Sequence, residues 1–259
     1  MEINQRILIT GANSFLGTSL TNDTNNNKYL AYVRQDRKSS DSVYFENNIE
    51  NLLRTVNNQN IRTCIHMANF ANTGSGELNT NSEITFLKKV KNSGIQKVIY
   101  ISTYWVDIEE YSDSQYVIHK KRIEETIKKY FSYKILRIGD VYGVEDQRKK
   151  LIPFLLDNEN SEEILLNGFP ENIVRPLTVK EACIFINNTL EREENYNNII
   201  DFYGEAISLE HLINKFKEAR NKSFKTKYKK QTMNKYTYLS SSDETHIAKS
   251  NLYNELSNL

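Results

Sequence analysis

Short apolar runs alternate with amphipathic stretches along the first half of the chain. The apolar runs are rich in β-branched and aromatic residues, whereas apolar positions in the stretches between them recur at helical spacing. The runs cover residues 6–10, 29–34, 63–67, 98–102 and 133–138. Strands that alternate with helices form parallel sheets covered by helices. The pattern therefore predicts an α/β fold with a doubly wound parallel sheet.

The first run leads directly into a turn with two glycines, Gly11-Ala-Asn-Ser-Phe-Leu-Gly17. Gly11 permits a sharp exit from the strand, and Gly17 lets the following helix lie close to the sheet. Free N–H groups at a helix N-terminus favour anions, so this turn predicts a site for the pyrophosphate of a dinucleotide. Ser14 stands where the usual pattern has its middle glycine. A plain strand-to-helix turn with ordinary glycines is the alternative.

A tyrosine and a lysine lie four residues apart in a segment with helical spacing. Tyr116 and Lys120 therefore share one face of a predicted helix. Because a nearby ammonium favours the phenolate, we expect Lys120 to lower the pKa of Tyr116 and make it a usable acid. Thr103 falls at the carboxyl end of a predicted strand, where open α/β sheets bind ligands, and is expected to hydrogen-bond the same substrate oxygen. The alternative is a buried tyrosine beside a surface lysine.

The order of these motifs resembles the extended short-chain dehydrogenase/reductase family, the group of sugar-nucleotide epimerases, dehydratases and reductases. The resemblance covers nearly the whole chain and implies a Rossmann-type core at residues 1–143. It also implies a small C-terminal lobe at residues 144–259 that mostly binds substrate, with some segments returning to the core. The segments that carry it are Thr10-Gly-Ala-Asn-Ser-Phe-Leu-Gly17, Ile65-His-Met-Ala-Asn69, Asn79, Tyr100-Ile-Ser-Thr103, Tyr116-x-x-x-Lys120, Leu136-Arg-Ile-Gly-Asp-Val-Tyr-Gly143, Arg175-Pro-Leu-Thr-Val-Lys-Glu-Ala182 and Tyr203-Gly-Glu-Ala-Ile-Ser-Leu209.

The resemblance also implies roles for particular residues. Thr103, Tyr116 and Lys120 correspond to the catalytic trio. Thr103, Asp140 and Arg175 are expected to contact the substrate, Arg175 at its pyrophosphate. The residues expected to bind the cofactor are Gly11, Asn13, Ser14, Phe15, Leu16, Gly17, Arg34, Met67, Ala68, Asn69, Tyr116 and Lys120.

The sequence departs from the family pattern near the predicted site. Dehydratases of the family carry an Asp-Glu pair directly after the catalytic threonine, whereas Tyr104 and Trp105 follow it here. Elimination of water needs a positioned acid and base beyond the tyrosine, so these two residues disfavour a dehydratase. Asp140 stands where family members often have asparagine, and proline follows Arg175 in place of the usual acidic neighbour.

The cofactor prediction depends on the end of the second strand. An acidic residue there accepts bonds from the ribose hydroxyls of NAD, whereas an arginine pairs with the 2′-phosphate of NADP. Arg34, with Arg37 and Lys38 beside it, favours NADP and makes NAD the less expected cofactor. The alternatives are that Asp36 binds the ribose of NAD, or that this is a solvated basic loop.

The expected activity follows from the cofactor, because a net reductase exchanges its cofactor whereas epimerases of this family recycle a tightly held NAD. By the resemblance, the preferred function is NADPH-dependent reduction of the 4-keto group of a nucleotide-linked 4-keto-6-deoxy sugar to a deoxysugar. One alternative is a nucleotide-sugar epimerase with tightly bound NAD. A weaker alternative is a non-catalytic dinucleotide sensor, which has no need of the Thr103, Tyr116 and Lys120 arrangement.

Composition removes several other classes of protein. The 259 residues carry a net charge of +1, which gives no sign of a nucleic-acid surface. No apolar stretch approaches the roughly 20 residues of a membrane helix, and the histidines are not spaced as a metal site. Cys64 and Cys183 lie in apolar surroundings, which predicts reduced thiols in the cytoplasm. We therefore expect a cytoplasmic protein without a metal, and the resemblance adds a homodimer.

One basic segment, residues 222–230, alternates lysines with other side chains. Lys225, Lys227 and Lys229 are separated by Thr226 and Tyr228, which predicts an edge strand with its lysines outward. Contact with a substrate phosphate is the alternative.

Overall fold

The computed structural model describes residues 6–22, 29–33, 43–70, 77–144, 146, 148, 150–192, 196–229, 240–248 and 251–259. Within these ranges eight strands form one sheet in which all neighbours are parallel. Numbered along the chain, they lie in the order β14 (Glu244–Ile247), β11 (Asn198–Tyr203), β6 (Ser132–Ile138), β5 (Lys97–Thr103), β4 (Thr63–His66), β1 (Ile7–Thr10), β2 (Tyr29–Tyr32) and β3 (Val43–Glu46). The order 3-2-1-4-5-6 is that of the doubly wound Rossmann fold, which confirms the predicted fold class.

Helices pack on both faces of this sheet. Side chains of α1 and α6 join one core cluster with Ile9, and those of α2, α3 and α4 join the other with Leu8. The two residues are adjacent in β1, and successive side chains of a strand point to opposite faces. The helices are α1 (Phe15–Asn22), α2 (Ile49–Asn58), α3 (Thr80–Asn92), α4 (Gln115–Tyr130), α5 (Leu151–Asn158), α6 (Val179–Glu191), α7 (Leu209–Arg220) and α8 (Leu252–Ser257).

The pairing of the central strands places their carboxyl ends at one edge of the sheet. Thr10 of β1 pairs with His66 of β4, which in turn pairs with Tyr100 of β5. Thr103, three residues further along β5, pairs with Ile138 of β6. Because β5 is buried on both faces, its sequence is almost continuously apolar instead of alternating.

A second, smaller core lies beside the large sheet. It brings together α5, α7, α8 and the strand β8 (Glu163–Asn167), the segments from which the substrate lobe is expected to form. The boundary at residue 143 stays a prediction. Beyond it, β11 and β14 belong to the large sheet. The other short strands are β7 (Asp140–Tyr142), paired with β10 (Pro176–Thr178), and β9 (Ile173–Val174), paired with β12 (Ile207–Ser208).

The basic segment forms the strand β13 (Lys225–Lys229), which pairs with β8 in a two-stranded sheet. Its three lysines are exposed, while Thr226 and Tyr228 are half-buried, as the alternation predicts. None of the helices in the described ranges combines the length and apolar character needed to cross a bilayer.

Candidate active site

A cavity of about 740 Å³ lies at the carboxyl edge of the large sheet. Thr103 from β5 and Tyr116 and Lys120 from α4 all line it. The structure therefore brings the three residues of the predicted trio to one space. The other predicted residues that line this cavity are Ser14, Phe15, Leu16, Met67, Asn69 and Asp140.

The turn between β1 and α1 requires both of its glycines. Gly11 has a φ of 76°, in the left-handed region that favours glycine. A Cβ atom at Gly17 would lie 2.2 Å from the carbonyl oxygen of Gly11, closer than atoms can approach. The Ser14 hydroxyl accepts the backbone N–H of Gly17 at 3.0 Å, so the serine in place of the middle glycine stabilises the turn.

Gly17→Ala is expected to destabilise the protein, because the added methyl group meets backbone atoms that cannot move aside. Overpacking of this kind typically costs about 1–3 kcal/mol, measurable as a lower free energy of unfolding in urea. Ser19→Ala, on the same helix, is the control and should have a much smaller effect. Equal stability of the two variants would show that the turn tolerates a side chain.

Tyr116 and Lys120 lie side by side on α4, as their spacing predicts. The Lys120 ammonium is 5.7 Å from the centre of the Tyr116 ring and 4.8 Å from that of Tyr100. Its Nζ also donates to the backbone oxygen of Ile101 at 3.0 Å. Among the described residues, the Tyr116 hydroxyl has no hydrogen-bond partner, so it is available to a ligand in the cavity.

The pKa values of this pair differ from the prediction. Burial, and then the charge of Asp140, raise the pKa of Tyr116 to about 12, although Arg148 acts in the opposite direction. Burial lowers the pKa of Lys120 to about 8, against the charges of Glu83 and Glu124. The expectation that Lys120 lowers the pKa of Tyr116 is therefore wrong, because burial outweighs the neighbouring ammonium. Tyr116 carries its proton at neutral pH, which is the form required of a general acid, and it has to lose that proton before it can act as a general base.

Thr103 and Asp140 enter the cavity from separate strands. The Thr103 hydroxyl oxygen accepts the backbone N–H of Trp105 at 3.3 Å and so begins the short 3-10 helix Tyr104–Asp107. The Asp140 Oδ2 accepts the Tyr104 hydroxyl at 2.8 Å and the backbone N–H of Arg175 at 3.4 Å. Tyr104 thus connects the end of β5 to the start of β7.

Arg175 packs on an aromatic ring, with its guanidinium carbon 4.1 Å from the centre of the Tyr203 ring. Within the described part of the chain, it is not among the residues that line the cavity. Its contact with a substrate pyrophosphate stays a prediction.

The remaining predicted cofactor residues follow β4 or lie outside the described ranges. The buried Oδ1 of Asn69 has no hydrogen-bond partner among the residues described, which suits a ligand donor in the cavity. Ala68 precedes Asn69. A Cβ atom at Gly11 would lie 2.8 Å from the backbone nitrogen of Ala68, so the loop after β4 lies close to the glycine turn. Asn13 lies in the turn before α1, and Arg34 falls outside the described residues. The cavity, the glycine turn and the free Asn69 oxygen together fit a dinucleotide.

Two cations in the cavity lie outside the predicted set. Arg148 Nε donates to Asp146 Oδ1 at 2.7 Å, and its guanidinium carbon is 4.7 Å from the centre of the Phe15 ring. The Lys150 ammonium is 5.2 Å from the centre of the Trp105 ring. These residues lie between β7 and α5, where no periodic pattern marks them, so sequence reasoning had no signal for them.

A buried acid joins the loop after β4 to the helix α4. The Glu83 carboxylate lies 3.1 Å from His66 Nε2 and 3.3 Å from His119 Nε2, and it accepts the backbone N–H of Phe70 at 2.6 Å. Although burial alone would raise it, these contacts lower the pKa of Glu83 to about 2. His119 directly precedes Lys120, so Glu83 fixes the position of this turn of α4.

Glu83→Gln is expected to lose stability in a pH-dependent way. The pKa of Glu83 falls from 4.5 to about 2 on folding, so its stabilisation is complete above 4.5 and is lost as the pH falls towards 2. The difference in unfolding free energy between the wild type and Glu83→Gln should therefore narrow as the pH falls through this range. Denaturation at a series of pH values measures it, with the exposed Glu50→Gln as control. A difference in unfolding free energy that stays constant with pH would contradict the stabilisation of ionised Glu83 by its neighbours.

Other chemistry of the site is limited. Among the described residues, no group of three or more histidines, cysteines and acids is placed to hold a metal ion. Cys64 and Cys183 are both buried, neither forms a disulfide, and burial raises the pKa of the Cys64 thiol.

No family model matches the chain, and no curated protein matches it in sequence. Solved structures do match. MoeE5 in complex with UDP-glucuronic acid and NAD has a TM-score of 0.76 at 18% identity, covering 97% of this chain and 96% of its own. UDP-glucuronic acid 4-epimerase from Bacillus cereus, with UDP-glucuronic acid and NAD, has a TM-score of 0.77 at 18% identity and the same coverage. DesIV, a dTDP-glucose 4,6-dehydratase from Streptomyces venezuelae with NAD and TYD bound, has a TM-score of 0.72 at 17% identity, covering 87% of this chain and 84% of its own.

The chain therefore has the fold of NAD-dependent nucleotide-sugar epimerases and dehydratases, the extended short-chain dehydrogenase/reductase group that its motifs resemble. The comparisons also correct the cofactor prediction. The preference for NADP over NAD is wrong, since these neighbours hold NAD. That preference depended on Arg34, and an arginine near the end of the second strand does not by itself determine contact with a 2′-phosphate.

Proposed function

We propose that the chain is a nucleotide-sugar epimerase that retains NAD. The observation that carries this proposal is the convergence of Thr103, Tyr116 and Lys120 on one cavity with the residues of the glycine turn. The neighbours support the ligand class, because MoeE5 and the Bacillus cereus 4-epimerase both hold UDP-glucuronic acid together with NAD. A sensor of dinucleotides would not need a free tyrosine hydroxyl in its cavity.

The chain offers separate groups for the two halves of the dinucleotide. The N-terminus of α1, at Phe15 and Leu16, favours the pyrophosphate. The free Oδ1 of Asn69 accepts a hydrogen bond deeper in the cavity. By the resemblance, Lys120 holds the nicotinamide ribose. Bound NAD would supply reversible hydride transfer at a sugar carbon, so no reductant would be consumed.

Tyr116 exchanges the proton of the reacting sugar hydroxyl. Oxidation of that hydroxyl requires a base, and reduction of the resulting carbonyl requires an acid, and one side chain serves both directions. Tyr116 is the phenolate before the oxidation and after the reduction, and it carries the sugar proton between the two steps. The Lys120 ammonium beside the ring stabilises the phenolate. The Thr103 hydroxyl hydrogen-bonds the same sugar oxygen and holds it against Tyr116.

The cavity also provides groups for the nucleotide and sugar. Arg148 and Lys150 supply positive charge for a diphosphate. Trp105 and Tyr111 stack with ring centres 4.8 Å apart and form an aromatic wall of the cavity. A flat aromatic surface with nearby cations suits a nucleotide sugar.

Net 4-ketoreduction is not favoured, because that prediction depended on the preference for NADP, which is wrong. Product analysis distinguishes the two activities. The purified protein is incubated with UDP-glucose, UDP-glucuronic acid or UDP-N-acetylglucosamine without added reductant, and the products are analysed by NMR. We expect a C4 epimer of at least one substrate and release of NAD on denaturation. Turnover of 4-keto sugars that requires added NADH or NADPH would identify a reductase, and NAD binding without turnover of any sugar would identify a sensor.

A further inference from the structure

Asp140 brings a carboxylate into the cavity from a strand remote in sequence from the trio. It begins β7 and lines the same cavity as Thr103 and Tyr116. Its charge is close enough to Tyr116 to raise the pKa of that phenol. Within the described chain, both hydrogen bonds of the carboxylate end at Oδ2, so Oδ1 is left for a ligand.

The surroundings fix this carboxylate and keep it basic. Tyr104, itself only 4% exposed, donates its hydroxyl to Oδ2 at 2.8 Å and packs edge-on against Tyr203. Burial raises the pKa of Asp140, while Lys150 and Arg148 favour its ionised form. The result is a carboxyl group of more than ordinary basicity, held in one orientation.

Asp140 can act on a different atom of the substrate from Tyr116 and Thr103. In the proposed mechanism, the hydroxyls of Tyr116 and Thr103 hydrogen-bond the oxygen of the reacting sugar carbon. Asp140 lines the same space but is not needed for hydride transfer or for the proton on that oxygen. A second base beside a carbonyl can act on the C–H bond of the adjacent carbon, whose acidity the carbonyl increases.

We propose that Asp140 is a catalytic base that removes the proton from a carbon adjacent to the keto group of a 4-keto nucleotide sugar. The inference rests on the proposed function, which supplies the nucleotide-sugar class. The C–H bond breaks, its proton passes to Asp140 Oδ1, and its electron pair moves to the carbonyl oxygen. The hydroxyls of Tyr116 and Thr103 hydrogen-bond the resulting enolate oxygen. Return of the proton restores the ketone, so the step needs no oxidant or reductant.

Solvent exchange tests this step on the whole protein. The probe is dTDP-4-keto-6-deoxyglucose, incubated in D₂O and followed by NMR at C3 and C5, the two carbons next to its carbonyl. We expect the wild type to introduce deuterium at only one of these carbons, well above the rate without protein. Asp140→Asn keeps an oxygen that accepts from Tyr104 but removes the base, so exchange should fall about 10²- to 10⁴-fold. Asp157→Asn, exposed on α5 and outside the cavity lining, is the control and should exchange as the wild type does.

The outcomes separate this inference from the proposed function. Exchange no faster than without protein, or an Asp140→Asn protein that exchanges like the wild type, overturns it. Thermal unfolding shows whether Asp140→Asn folds. If it does not fold, wild-type exchange at C3 and C5 alike, or no faster than without protein, still overturns the inference. C4 epimerisation without exchange at C3 or C5 leaves the proposed function and removes this role of Asp140. Exchange without any C4 epimerisation supports Asp140 and removes the epimerase.

Discussion

Tyr116→Phe is expected to reduce turnover by about 10²- to 10⁴-fold, the usual cost of losing a general acid and base. The substitution keeps the ring, its packing against Trp105 and the neighbouring Lys120 ammonium. It deletes only the hydroxyl that is proposed to exchange a proton with the sugar oxygen. Thr103 still hydrogen-bonds that oxygen, but a threonine hydroxyl is a far poorer proton donor.

NAD binding distinguishes loss of chemistry from loss of structure in this variant. The amount of NAD released per protein on denaturation should be nearly the same for Tyr116→Phe as for the wild type. Tyr130→Phe, at the far end of the same helix and outside the cavity lining, is the matched control and should keep full turnover. Near-normal turnover of Tyr116→Phe would remove the tyrosine from the mechanism.

Arg137→Met is expected to lower the free energy of unfolding by about 3–5 kcal/mol, because it leaves buried carboxylates without their cation. Arg137 donates to Glu124 Oε2 and to Asp107 Oδ2, each at 2.7 Å, and all three side chains are less than a tenth exposed. The Ser102 hydroxyl also donates to Glu124, at 2.6 Å. Since Ser102 precedes Thr103, this network supports the end of β5.

An exposed ion pair provides the control for that measurement. Lys227 lies 2.9 Å from Glu163 on the β8–β13 sheet, with side chains 67% and 40% exposed. Exposed pairs contribute at most about 1 kcal/mol, so Lys227→Met should change the urea midpoint little. A similar loss of unfolding free energy in both variants would show that burial of the Arg137 network does not determine how much it stabilises the protein. Arg137→Met combined with Glu124→Gln should recover part of the loss, because one uncompensated charge is then removed.

Local patterns were sufficient to predict the central part of the fold. The strands β1, β2, β4, β5 and β6 coincide with the five apolar runs, because central parallel strands are apolar on both faces. The spacing of Tyr116 and Lys120 placed both on one helix face, and the two glycines marked the turn before α1. Each of these signals is contained within a few consecutive residues.

The rest of the sheet and site depends on contacts between distant segments. No local pattern predicted a strand at β3, β11 or β14. The strand β14, Glu244–Ile247, is mostly polar because it forms the edge of the sheet. Asp140, Arg148 and Glu83 reach their partners only after the chain has folded. The pKa of Tyr116 was predicted in the wrong direction for the same reason, since its burial cannot be known from the spacing to Lys120.

The fate of deuterium on the sugar C4 shows whether a hydride leaves and returns within the same bound NAD. The protein is incubated with UDP-glucose or UDP-glucuronic acid that carries deuterium at C4, and the epimer is analysed by NMR and mass spectrometry. We expect the deuterium to be retained at C4 of the epimer, because the proposed mechanism returns the same hydride to the sugar. Replacement of that deuterium by hydrogen from solvent, or its release on free cofactor, would contradict the proposed mechanism.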